Sequence, residues 1–195
     1  MIGSEYMKLI VGLGNPGKEY NNTRHNVGFD FLDYYFEYKK ITPTWTKKFD
    51  GVYFSTMIGD EKVYFLKPHT YMNLSGNSVQ KIMKYYDIPV EDILIIADDL
   101  DILLGNYKLK LSGSSGGHNG LRNIEQNIGT IEYKRLKIGI SNNKEMDGKD
   151  YVLGKFSKDE QQILQNLFQE LSECLDDYYQ LPFTDLMSKY NRKNR

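Results

Sequence analysis

The chain is poor in the residues that staple or ligate: 195 residues contain one cysteine, Cys174, and three histidines. A lone cysteine excludes an intramolecular disulfide and any zinc site built on cysteines, which fits a reducing compartment, so a cytoplasmic location is expected. Long apolar runs are missing as well. No stretch approaches the ~18 residues of a membrane span, and residues 1–6 lack the basic and apolar regions of a signal peptide, so neither export nor membrane insertion is expected. There is no internal repeat and no low-complexity linker. Net charge is close to absent, at -1, which argues against a protein coated in basic residues.

What remains is the composition of a folded soluble domain, with 40% hydrophobic and 26% charged residues in a length that suits one core. Met7 stands immediately before the first apolar run. Residues 1–6 are therefore read as an N-terminal extension or cloning remnant, and residues 7–195 as a single domain. The near-zero net charge hides an uneven distribution: between Ile102 and Ile140 there are six basic residues (Lys108, Lys110, Arg122, Lys134, Arg135, Lys137) against two acidic ones (Glu125, Glu132). Such a patch can meet phosphates, although solvated surface is the ordinary reading of any single lysine.

Periodicity alternates between strand and helix. Lys8 to Leu13 reads as a buried strand, and Val27, Phe31, Tyr34, Tyr35 and Tyr38 then recur at helical spacing. Val52 to Ile58 and Lys62 to Leu66 read as a hairpin around Gly59-Asp60-Glu61. Ser75 is placed as the cap of a second helix, with a stripe of Val79, Ile82, Met83 and Tyr86. Ile93 to Ala97 and Arg135 to Ile140 read as strands, Lys108 to Leu111 as an alternating strand, Leu121 to Ile128 as a helix, and Leu164 to Tyr178 as a closing helix. The expected fold is α/β: a single domain with a mixed, mostly parallel central sheet flanked by helices on both faces. Polar clusters follow several of these strands, at Asn15 to Asn26, Pro68 to Asn73, Asp98 to Asp101 and Gly113 to Asn119. Strands sharing a direction would bring them to one rim, where ligands of open α/β sheets bind.

Three readings compete for that rim. Gly12-x-Gly14-x-x-Gly17 fits a dinucleotide fingerprint and follows a strand, but Lys18 to His25 offers no helical apolar stripe and so no obvious helix N-terminus for a pyrophosphate. Gly113-x-Ser115-x-Gly117 fits a serine nucleophile elbow, but the only later histidine, His118, precedes every later aspartate, against the order such triads take. The third reading takes His25 as a base acting on water, with a carboxylate of Asp98, Asp99 or Asp101 fixing its tautomer. Asp98 comes first after its strand and would be held most rigidly. Asn73 and Asn119 are amides able to donate to a developing oxyanion. The ordinary readings beside these are a capping or surface position for His25, His69 and His118, and turn or cap work for the asparagines.

Four blocks then stand in order: Gly12-Leu13-Gly14-Asn15-Pro16-Gly17 with Tyr20 and Thr23-Arg24-His25-Asn26; Lys67-Pro68 with Thr70-Tyr71-Met72-Asn73-Leu74-Ser75-Gly76; Asp98-Asp99-Leu100-Asp101; and Gly113-Ser114-Ser115-Gly116-Gly117-His118-Asn119-Gly120-Leu121. Together they resemble bacterial-type peptidyl-tRNA hydrolase, from Lys8 to about Phe156.

The resemblance implies an esterase that frees tRNA from peptidyl-tRNA dropped by stalled ribosomes, with no cofactor and no metal. It implies His25 as general base, Asp98 as its partner, Asn73 positioning the water or polarising the carbonyl, and Asn15 sensing the acylated amino end. Tyr20, Tyr71 and Asn119 would line the substrate groove. Lys110 and Lys137 would grip the 5'-phosphate at the tRNA acceptor stem, and the enzyme would act as a monomer. Where some family members carry Arg at the position of Lys137, lysine offers a point charge in place of a fork. Basic residues from Lys189 to Arg195 could add to that grip. A non-catalytic tRNA-binding module stays open beside the enzyme, since both would use the same rim.

Overall fold

The computed structural model describes residues 7–142 and 148–193. Residues 1–6, assigned above to an extension or remnant, lie outside the described residues, as does 143–147. Among the described residues, strands and α-helices follow one another as β1 (Met7–Gly12), α1 (Val27–Lys39), β2 (Thr46–Lys48), β3 (Gly51–Ile58), β4 (Glu61–Pro68), α2 (Ser75–Tyr86), β5 (Ile93–Leu103), β6 (Tyr107–Ser112), α3 (Asn119–Ile128), β7 (Glu132–Ser141), α4 (Gly148–Val152), α5 (Lys158–Tyr178) and α6 (Phe183–Lys193).

The strands form one sheet in the order β2-β3-β4-β1-β5-β7-β6. Its centre, β4-β1-β5-β7, runs parallel. β3 and β2 continue it antiparallel on one side, and β6 closes it antiparallel on the other. Strands buried on both faces need continuous apolar runs, which Leu9-Ile10-Val11 and Ile93-Leu94-Ile95-Ile96 supply, all at 2% exposure or less. The pleat sends Ile10, Leu94, Ile96, Leu136 and Ile138 into a core shared with α1, α5 and α6. Leu9, Val11, Ile93, Ile95 and Tyr133 meet α2 and α3 on the opposite face.

Four local expectations change. β5 does not stop at Ala97: Asp98 to Asp101 remain in the strand, which continues to Leu103 with an irregular register against β7. Ser75 is the first residue of α2 instead of its cap, and its hydroxyl donates to the Met72 carbonyl at 2.8 Å. Asn119 likewise does not cap α3; His118 does, accepting the Leu121 N–H on Nδ1 at 3.2 Å. A second C-terminal helix, α6, follows α5 and covers the free edge of β6, where the Asn191 amide accepts from Leu109 N at 2.9 Å and donates to Leu109 O at 3.0 Å. Among the described residues no helix is long and apolar enough to cross a membrane.

Candidate active site

The glycines after β1 serve close packing. A Cβ on Gly12 would stand 2.6 Å from the Gly28 carbonyl oxygen, and one on Gly14 2.7 Å from the Phe29 ring. A Cβ on Gly28 would stand 2.7 Å from Ile96 O, Leu13 N and Leu13 O. The absence of these side chains lets the start of α1 press onto β1 and β5. The fingerprint spacing thus has a packing cause, and the residues after it form short 3-10 turns at Lys18–Tyr20 and Arg24–Asn26 before the helix begins at Val27.

That segment is tied down at many points. The buried Asn26 amide accepts from Asn15 N at 2.8 Å and donates to Asn15 O at 2.9 Å. Asn15 Oδ1 in turn accepts the Met72 N–H at 2.7 Å, which joins the loop after β1 to the loop after β4. Arg24 donates to the Tyr151 carbonyl at 3.3 Å and to Glu160 at 3.2 Å, and its guanidinium lies 4.1 Å from the centre of the Tyr151 ring. His25 is therefore held from both sides in sequence.

Its ring meets Asp98. His25 Nδ1 lies 2.9 Å from each Asp98 carboxylate oxygen, and His118 Nε2 lies 2.8 Å from Oδ1 of the same carboxylate. The tautomers follow from the partners. His118 accepts a backbone N–H on Nδ1, so its proton sits on Nε2 and is donated to Asp98. His25 donates from Nδ1, which leaves the Nε2 lone pair available to take a proton. These three residues are also close enough together to suit a metal ion. Both nitrogens facing Asp98 are N–H donors, however, so the arrangement fits a hydrogen-bonded triad better than a cation.

Burial alone would raise the Asp98 pKa, but the charges and hydrogen bonds of His25 and His118 overcome it and hold the carboxyl well below the usual range. For His25, burial pulls the pKa down, and the Asp98 charge and hydrogen bond outweigh it, leaving the ring above its ordinary 6.5. The result is a fixed carboxylate beside a base whose protonated form it stabilises.

The triad floors a cleft of about 680 Å³. Asn15, Tyr20, Tyr71, Asn73, Asn119 and Lys137 all line it, so eight of the anticipated residues, with His25 and Asp98, meet in one place. Asn15 is buried at 7% exposure, whereas Tyr71, Asn73 and Asn119 are exposed. Tyr20 and Tyr71 meet edge to face at 6.2 Å. Lys110 is not in the cleft wall; it stands on β6 beside it, in a stripe where Lys108 faces Lys137 and Lys110 faces Arg135 across the strand pair. Burial first, then the charges of Lys137, Lys108 and Arg135, depress the Lys110 pKa.

Arg135 does not belong to the solvated patch. It is fully buried, donating to Gly113 O at 2.7 Å and Ile131 O at 2.6 Å, and so anchors the start of the Gly113 to Gly117 loop. That loop leaves the end of β6 away from the rim, because β6 is antiparallel, and must run back to reach it. The serine elbow loses its footing here: both ring nitrogens of His118 are engaged, one by Asp98 and one by Leu121. His69 stands apart, against Phe29 at 6.1 Å. His118, read from the sequence only as a capping or surface position, gains a carboxylate partner from the approach of α3 to β5. At the C-terminus, Lys189 pairs with Asp177 at 2.7 Å, and the side chains of Arg192, Lys193 and Arg195 lie outside the described residues.

Comparison with known proteins decides the family. A family model described as peptidyl-tRNA hydrolase matches residues 9–195. The chain belongs to the peptidyl-tRNA hydrolase family. It is 44% identical over 187 residues to a peptidyl-tRNA hydrolase of Listeria monocytogenes, covering 96% of this chain and all of that one. A relative of the same name from Clostridium novyi is 43% identical over 185 residues, covering 95% and 98% of the two chains. The crystal structure of peptidyl-tRNA hydrolase from Acinetobacter baumannii superposes with a TM-score of 0.87 at 38% identity over 95% of each chain. Members of the family are hydrolases of the ester bond of peptidyl-tRNA, which returns tRNA to translation.

Proposed function

We propose that residues 7–195 form a one-domain, monomeric, cytoplasmic enzyme that hydrolyses peptidyl-tRNA with water activated by His25. The observation that carries the reading is the His25–Asp98 contact at 2.9 Å in the floor of the cleft. Water gives a proton to His25 Nε2 as its oxygen attacks the ester carbonyl, and Asp98 stabilises the imidazolium that forms. The tetrahedral intermediate collapses when the C–O bond to the ribose breaks, and the imidazolium returns the proton to the departing ribose oxygen. His118 holds the second edge of Asp98 and acts as a positioning residue.

Asn73, exposed in the cleft wall, steers the water or polarises the carbonyl through its amide. With Asn15 Oδ1 committed to Met72, the Asn15 Nδ2 group is the end left to meet an acylated peptide nitrogen's carbonyl. Tyr20, Tyr71 and Asn119 wall the groove for the two arms of the substrate. Lys110 and Lys137 take the 5'-phosphate of the acceptor stem, a contact that adds affinity without reading sequence. No step calls on a cofactor.

The test compares N-acetyl-aminoacyl-tRNA with the same tRNA carrying a free aminoacyl group, using wild type and His25→Ala. Cleavage of the blocked substrate alone, lost in the variant, is the expected result. Full activity in His25→Ala would overturn the assignment of the base.

A further inference from the structure

Asp99 follows Asp98 in the chain, and the pleat turns it to the other face of β5, toward the basic stripe. Its Oδ1 accepts the Asp101 N–H at 2.7 Å, and its Oδ2 lies 3.4 Å from Lys137 Nζ. Both side chains are largely out of water, at 14% exposure for Asp99 and 9% for Lys137. Lys108 and Lys110 stand on the neighbouring strand. Arg135 is already committed to backbone carbonyls and to Glu125 at 3.8 Å. Among the described residues, Asp99 is the carboxylate in ion-pair contact with Lys137.

We infer that Asp99 is an internal counter-ion, which a phosphate of the RNA must displace from Lys137, and that it keeps the phosphate grip weak enough for deacylated tRNA to leave. The inference rests on the reading of Lys110 and Lys137 as a phosphate grip. A tRNA phosphate is present before and after hydrolysis, so contact with it binds substrate, transition state and product alike. Such uniform binding lowers KM and slows product departure without lowering the chemical barrier. Every binding event here exchanges a carboxylate for a phosphate on Lys137, so part of the attraction goes into breaking an existing pair.

The test measures Kd for deacylated tRNA, with and without its 5'-phosphate, across salt concentration, for wild type, Asp99→Asn and Lys110→Ala. Asparagine keeps an oxygen for the Asp101 N–H but leaves Lys137 without an anion. Binding is expected to tighten about tenfold, as one relieved charge pair implies, with the salt slope steeper by about 0.9. Steady-state turnover is expected to fall relative to single turnover. A gain confined to 5'-phosphorylated tRNA supports the inference with the terminal phosphate as ligand, and a gain that persists without it supports the inference with a backbone phosphate. Unchanged or weaker binding in Asp99→Asn overturns the inference, and Asp99→Ser, which also offers Asp101 an oxygen, repeats the test if the first variant folds poorly. Should Lys110→Ala alter neither affinity nor salt slope, the phosphate grip itself fails. Weakening in Lys110→Ala without tightening in Asp99→Asn removes only the counter-ion.

Discussion

Asp98 and Asp99 are adjacent in the chain, yet they sit in opposite electrostatic settings. Asp98 is buried among donors that converge from both faces of the sheet: His25 precedes α1, which packs on one face, and His118 precedes α3, which packs on the other. Asp99 faces a stripe in which cations outnumber carboxylates, with Lys108 and Lys110 across from Lys137 and Arg135. The first arrangement is closed on the carboxylate, with the His118 proton fixed by the Leu121 N–H on its other nitrogen and His25 meeting Asp98 through Nδ1. The second carries surplus positive charge that an incoming anion can use. In the proposed function, one strand end separates bond cleavage from RNA binding by the alternation of its pleat.

Substitutions can break that separation or sharpen it. The largest effect is expected from His25→Ala, which should cut kcat by about 10² to 10⁴-fold on any ester substrate, long or short; single-turnover rates check it. Next comes Gly28→Ala, which touches no reacting atom but forces a methyl against Ile96 O and both Leu13 backbone atoms. Displacement of His25 from Asp98 should lower kcat by about 10 to 10²-fold, and a crystal structure of the variant would show the altered contact.

Lys110→Ala should act on the other side of the comparison. KM for tRNA-bearing substrate should rise by about tenfold, and its salt dependence should flatten by about 0.9 in slope, whereas a short acyl-adenosine ester loses little. Equal losses on both substrates would merge the two regions into one. The acid limb of kcat/KM offers a finer measure. His25 must be neutral to accept a proton and its pKa is raised, so activity should climb with pH through a midpoint above 6.5. Asp98→Asn, which leaves burial as the dominant influence, should move that midpoint below 6.5. Ser115→Ala should change turnover by less than about twofold, because the proposed proton path runs through His25 and water.

The sequence carried the centre of this architecture more legibly than its margins. Continuous apolar runs marked β1 and β5, and the polar blocks behind β1, β4 and β5 pointed to a shared rim, because burial pattern depends on local order along the chain. What depended on contacts between distant segments stayed hidden. His118 looks like a capping residue, and is one; its second bond, to Asp98, exists only because α3 packs beside β5. Arg135 counted as surface charge until carbonyls of residues 113 and 131 enclosed it. α6 was legible as well, since its apolar positions, Phe183, Leu186, Met187 and Tyr190, stand at helical spacing directly after Pro182, but the stripe is short and lies beyond the longer one of α5. The asparagine blocks were readable as polar loops, but the mutual clasp of Asn15 and Asn26 depends on how the segment between them, with its two 3-10 turns, folds back on itself.

The fastening of α6 to β6 bears on what this margin of the sheet offers to another chain. Asn191 offers Leu109 an acceptor and a donor together, the pair of groups that an adjoining strand would present. The Tyr107 hydroxyl adds a bond to the Tyr190 carbonyl at 3.1 Å. A side chain imitating a strand occupies the sheet margin without extending it. A chain cut before Phe183 would bare that margin as a template for strand addition, and self-association would then compete with solubility.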